Sequence, residues 1–165
     1  MQLKKLRPSR GMVISSGALF VVLAIAAGTW LVVNTKPIPE KYRQGLNYPL
    51  YYPTNLPNGY VVDRSSFQRK TNVLVFNINT PSGRNIAVSE ERIPLGVDLS
   101  QHPNSSGLAL PDQREFTTTA GTAEISFWGN KLVSSLVTPD TWVVLNVSGF
   151  TMNDAEKVTQ SFVKL

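Results

Sequence analysis

The sequence predicts an α+β protein, with one N-terminal transmembrane helix followed by a mostly antiparallel sheet and a C-terminal helix packed on one face. Three observations carry this expectation. Residues 11–33 contain no charged side chain. Between residues 60 and 148, short runs rich in Val, Ile, Leu and Phe recur between turn-forming residues, the pattern of consecutive strands. After Thr151 the apolar spacing changes from two residues to three or four, which is the period of a helix.

Residues 1–10 hold Lys4, Lys5, Arg7 and Arg10 and no acid. Positive charge is retained on the cytoplasmic side of a membrane, so these residues read as a cytoplasmic tail. As a helix, residues 11–33 would extend about 34 Å, against a hydrocarbon core of about 30 Å. Trp30 falls near the far end, at the level where an indole favours the headgroups. A cleaved signal peptide is the rival reading, because Ala24-Ile25-Ala26 is a small-x-small site. The run continues through Leu31, Val32 and Val33, which suits a retained anchor better. No cysteine follows it, which excludes lipoprotein processing. Residues 34–48, with Pro37 and Pro39, read as an extracytoplasmic stalk, extended around the prolines. An extracytoplasmic α+β domain over residues 49–165 would follow.

Within that domain, residues 60–68, 72–80 and 85–92 read as strands, the last two joined as a hairpin by Pro81-Ser82-Gly83-Arg84. Ala123, Ile125 and Phe127 alternate with Thr122, Glu124 and Ser126, as a half-buried strand requires. Gly129-Asn130 and Pro139-Asp140 turn the chain into residues 131–138 and 141–148, completing an antiparallel meander. Thr151 can cap a helix, with Asp154 at its third position. Met152, Ala155, Val158 or Thr159, and Phe162 share one face of that helix. Residues 94–113 mix Pro, Gly, Ser and Asn with Val97, Leu99, Leu108 and Leu110. They read as a binding loop, a mobile flap or an unstructured insertion.

Composition narrows the possible functions. The net charge of +5 is concentrated in the first ten residues. From Lys36 onward twelve basic residues meet eleven acidic ones. Nucleic acid is therefore not an expected partner, because tracking phosphates needs clustered cations. The absence of cysteine removes disulfides, thiol nucleophiles and most zinc sites.

Pro53-Thr54-Asn55-Leu56-Pro57-Asn58-Gly59-Tyr60 resembles the Pro-x-x-Leu-Pro-x-Gly-Tyr opening of a bacterial extracytoplasmic domain of unknown function, found in lipoproteins and anti-sigma-factor-like membrane proteins. Trp142-Val143-Val144-Leu145, Gly149-Phe150-Thr151 and the closing helix are similar to the end of that domain. The resemblance covers residues 49–165. It implies a sheet-and-helix module related in shape to periplasmic lipid carriers, and it supplies no catalytic residue. Ten tail residues are too few for a sigma-binding domain, so that role does not carry over.

No catalytic constellation is legible. His102 is the single histidine and sits in a polar stretch. Glu90 and Glu91 are adjacent in a strand and so point to opposite faces. Ser105-Ser106 and Ser134-Ser135 lack a nucleophile-elbow context. No cofactor or metal site is expected. The aromatics are the better lead. Tyr51, Tyr52 and Trp128 are the candidate binding residues, with Trp128 on the phase opposite Ala123, Ile125 and Phe127. The expected protein is a non-enzymatic, single-pass component of a bacterial cell envelope. It would be held in the cell membrane through residues 11–33, with an outer domain that binds a protein partner or senses an envelope ligand. The alternatives are a lipid- or glycan-binding module, anchored or secreted, and, third, an unrecognised hydrolase.

Overall fold

The computed structural model describes residues 36–94 and 113–165. The chain divides into two units, residues 1–40 and 41–165. The described part of the first is residues 36–40, where Lys36 and Glu40 form an exposed ion pair at 3.0 Å. A four-residue helix, α1 (Glu40–Arg43), follows. The remaining elements lie in the second unit.

Seven strands form one sheet: β2 (Val61–Lys70), β3 (Val73–Asn79), β4 (Asn85–Arg92), β5 (Arg114–Thr117), β6 (Thr122–Trp128), β7 (Lys131–Val137) and β8 (Thr141–Asn146). Their order is β2-β3-β4-β8-β7-β6-β5, and every neighbouring pair is antiparallel. The sheet is thus two meanders joined where β4 meets β8. Two further strands, β1 (Tyr51–Pro53) and β9 (Phe162–Lys164), form a separate antiparallel ribbon. Helix α2 (Met152–Gln160) precedes β9.

Strand alternation sorts the side chains onto two faces. On the inner face the register aligns Leu74, Phe76 and Ile78 with Glu90, Val88 and Ile86, and these with Val143 and Leu145. The same face continues through Leu136 and Ser134 to Ala123 and Ile125. All of these are essentially inaccessible to solvent. Helix α2 packs on β6 and β7. The β2 to β4 side is covered by aromatic packing. Tyr42 stacks on Phe67 at 5.9 Å, Phe67 lies 5.0 Å from Phe76, and Tyr52 of β1 stacks on Phe76 at 6.4 Å. Burying each such phenyl ring contributes about 1.5–3 kcal/mol. A register shift in β2 between Asp63 and Gln68 aligns Phe67 with this cluster.

Two glycines are required by geometry. Gly59 has φ +81 in the turn closed by Tyr60 N–H donating to the Pro57 carbonyl. A Cβ at Gly121 would lie 2.0 Å from the Val137 carbonyl oxygen, so no other residue fits between the β5–β6 turn and the end of β7. The Thr138–Thr141 turn that joins β7 to β8 is locked by its own hydroxyl. Thr138 Oγ1 accepts from Thr141 N–H at 3.0 Å and donates to the Thr141 carbonyl at 2.8 Å.

The fold class differs from the α+β architecture with a transmembrane helix that the sequence predicts. The structure is mostly antiparallel sheet, nine strands in two sheets with two short helices among the described residues. The expected span, residues 11–33, lies outside the described residues. Among the described residues no helix is long and apolar enough to cross a membrane, so the single-pass transmembrane assignment is unsupported. The chain end also differs. Phe162 does not extend the apolar face of the helix. The helix stops at Gln160, where Ser161 donates its N–H back to the Val158 carbonyl, and the chain straightens into β9. Phe162 then pairs with Pro53, and β9 runs from buried to exposed. Three residues in a strand period were too short a signal against the preceding helical one. The N-terminal part of that reading agrees with the structure: Thr151 caps α2 and accepts from Asp154 N–H at 3.1 Å.

Candidate functional site

The side of the sheet opposite α2 carries the aromatic feature. Trp128 ends β6 on this outer face, opposite Lys131, and Trp142 begins β8 on the same face, opposite Val137. The two indoles lean toward each other, with ring centroids 6.1 Å apart at 47°. Trp142 is fixed in that pose because its Nε1–H donates to Ser135 Oγ at 2.6 Å. Val133 and Ser135, on β7 between the two, are buried although they lie on the outer face. Trp128 remains 38% exposed, and Phe127 beside it is 39% exposed on the other side of the same hairpin tip. The tip therefore shows solvent two large aromatic side chains, one of them braced by a second indole.

Glu124 lies next to Ser135 across the β6–β7 pair, at the margin of the patch. Burial holds its carboxyl above the usual carboxylate range, and Glu115 pushes it the same way. Hydrogen bonds from Ser126 and Gln113 oppose them, the latter at 2.7 Å. The acid is thus seated rather than free to swing.

The structure separates the three residues that the sequence singled out. Tyr51 is buried in the ribbon, and Tyr52 is half-buried against Phe76. Both belong to the layer over the inner face, so neither lies beside Trp128. The aromatic side chain beside Trp128 is Trp142. The signal for it was present: a two-residue turn at Pro139-Asp140 pairs Thr138 with Thr141 and hence Val137 with Trp142. That register puts the indole on the Ser135 face.

Among the described residues the remaining candidates are not brought together. His102 lies outside the described residues. Among the described residues no group of three or more His, Cys, Asp or Glu side chains could hold a metal ion. Glu90 and Glu91 point to opposite faces, Glu90 inside and fully buried. Ser134 is bonded to Thr159 at 2.7 Å and Ser135 to Trp142, so both hydroxyls are engaged in packing contacts. A second surface feature adjoins the Leu-Pro-Asn-Gly turn. Asn55, Leu56, Pro57 and Asn58 face Lys157, Gln160 and Ser161 across an open, mostly polar groove of about 530 Å³.

Fold and site together define a small antiparallel β domain with a solvent-facing aromatic patch. Set against family models, curated proteins and solved structures, the chain matches none of them.

Proposed function

We propose that residues 41–165 form a non-enzymatic binding domain that recognises a protein partner through the outer face around Trp128 and Trp142. The carrying observation is the pre-positioned indole pair. Trp142 is held by Ser135, and Trp128 rests on it while keeping 38% of its surface in water. Rigid, partly exposed aromatics dominate binding energy at protein interfaces, because they bury much area while losing few rotamers. The neutral charge balance of the domain fits an apolar anchor better than a charge-steered encounter. The test places a photo-crosslinking amino acid at Lys131 of the full chain in cells and identifies adducts by mass spectrometry. The expected result is one dominant adduct that Trp128→Ala reduces at least tenfold and Tyr52→Phe leaves unchanged. An adduct insensitive to Trp128→Ala, with the variant folded, would refute the assignment.

A second reading has its own observation. The groove between Asn55–Asn58 and Lys157–Ser161 offers side-chain amides, a hydroxyl and one cation beside Leu56 and Pro57, a lining suited to a glycan. Thermal-shift screening with cell-wall fragments would separate the two readings. A shift abolished by Gln160→Ala but not by Trp128→Ala favours the groove.

A further inference from the structure

We propose that Glu90 is a proton-controlled latch for the β1–β9 ribbon. It sits mid-strand in β4, between Leu74 of β3 and Val143 of β8, with 0% exposure. Its Oε2 accepts the backbone N–H of Tyr51 at 3.1 Å, a side-chain bond from the large sheet to the ribbon. Among the described residues its Oε1 has no hydrogen-bond partner. An ionised carboxylate offers about four acceptor sites, and burying it with one filled is strongly unfavourable. A neutral carboxyl at the same place costs far less, since only an uncharged O–H then lacks a partner.

The surrounding groups leave that imbalance in place. Leu74 and Val143 flank Glu90 without charge. From the covering segment come Tyr51 and Tyr48, and the Tyr48 hydroxyl shares its proton between the Asn72 and Glu90 carbonyls. Burial and then the Glu90 charge raise Tyr48 itself to about 12, which keeps it neutral. Arg69 of β2 and Glu91 act on Tyr48, and Glu91 points to the opposite face. Lys164, opposite Tyr51 in β9, is exposed. Among the described residues no cation forms an ion pair with Glu90. Burial raises its carboxyl to about 8, opposed by the Tyr51 N–H alone.

The closed ribbon therefore prefers protonated Glu90, and an opened ribbon lets water reach an ionised one. A carboxyl raised in the closed state contributes its full stabilisation below its solvent pKa. That stabilisation is lost as pH rises through the closed-state value. Opening should strengthen about tenfold per pH unit from about pH 5 to about pH 8 and level off above. The ribbon carries Thr54 N–H to the Ser161 carbonyl and Leu165 N–H to the Leu50 carbonyl, so those amides report the open state.

The experiment is hydrogen exchange on the full chain from pH 5 to pH 9, corrected for intrinsic exchange rates. The expected result is that Tyr51, Thr54 and Leu165 exchange by a route faster than core amides such as Phe76, with the tenfold slope. Glu90→Gln should abolish the slope at those three amides. Equal exchange of ribbon and core amides at every pH, or an unchanged slope in Glu90→Gln, would overturn the proposal. Should the variant not fold, infrared difference spectra of the wild type decide. A protonated-acid carbonyl band that disappears near pH 8 supports the latch, and its absence at pH 6 refutes it.

Discussion

The hydroxyl chain that joins α2 to β7 makes an asymmetric prediction. Thr159 Oγ1 donates to the Ala155 carbonyl at 2.8 Å, which uses its only proton. The 2.7 Å contact between Ser134 and Thr159 must then have Ser134 as donor. Both residues are fully buried. Thr159→Val keeps the shape but leaves Ser134 with a buried, unpaired donor, which costs about 1–3 kcal/mol. Ser134→Ala removes a donor and leaves Thr159 bonded to Ala155, so its cost should stay near 0.5–1 kcal/mol. The double variant removes the orphan and should be less destabilised than the sum of the singles by about 1 kcal/mol or more. Urea unfolding followed by tryptophan fluorescence measures all three, and a constant slope with denaturant keeps the comparison valid. Equal costs for the two single changes, or strict additivity in the double variant, would show that Ser134 is not the donor to Thr159.

Other outcomes are expected. The stability of the whole chain should fall between pH 5 and pH 8 by about 3–4 kcal/mol, because the Glu90 carboxyl, raised from 4.5 to about 8, must stay neutral in the fold and ionises when unfolded. Glu90→Gln should flatten that dependence, and urea midpoints across the range would report it. Trp142→Phe loses the 2.6 Å bond to Ser135 and the brace under Trp128. It should cost about 1–2 kcal/mol and leave Trp128 emission red-shifted. Arg114→Ala should cost under about 1 kcal/mol, and less in high salt. Its Nη1 lies 2.9 Å from Glu156 Oε2 as an ion contact without hydrogen-bond alignment, and half of the arginine is in solvent.

Much of the sheet was legible in the residues because alternation and turn chemistry agree there. The β3–β4 hairpin follows from Val73 to Ile78 on one side of Pro81-Ser82-Gly83 and Ile86 to Val88 on the other. The β6-β7-β8 meander follows from Gly129-Asn130 and Pro139-Asp140. Long-range pairing was not legible. Nothing local in Phe162-Val163-Lys164 says that it meets Tyr51-Tyr52-Pro53, since a three-residue strand has no period to read. The join of β4 to β8 has the same character, as it brings Glu90 beside Val143 across half the domain. For the site, the phase of Trp128 was readable from its own strand, whereas its contact with Trp142 needs two hairpin registers at once. In the sequence, Glu90 and Glu91 fall on opposite faces of a strand and so do not form a carboxylate pair, and the dipeptide alone does not say which of the two lies inside. Alternation sets Glu90 on the face of Ile86 and Val88, but its contact with the Tyr51 N–H comes from the segment that passes over β4, which no pattern within β4 reveals.

The ribbon also governs when the domain can finish folding during synthesis. β1 leaves the ribosome among the first described elements of this unit, yet its hydrogen-bonding partner is β9, far later in the chain, with Tyr51 set against Lys164. Until Phe162 emerges, the pocket it fills stays open, and the backbone of Tyr51 to Pro53 has a bare edge. Both meanders can zip locally before that point, because each uses neighbouring strands. The nascent chain should therefore pass through a state with a formed sheet and a loose first strand, in which β1 is available to chaperones or to another nascent copy. Closure is a single late event timed by the final residues of β9.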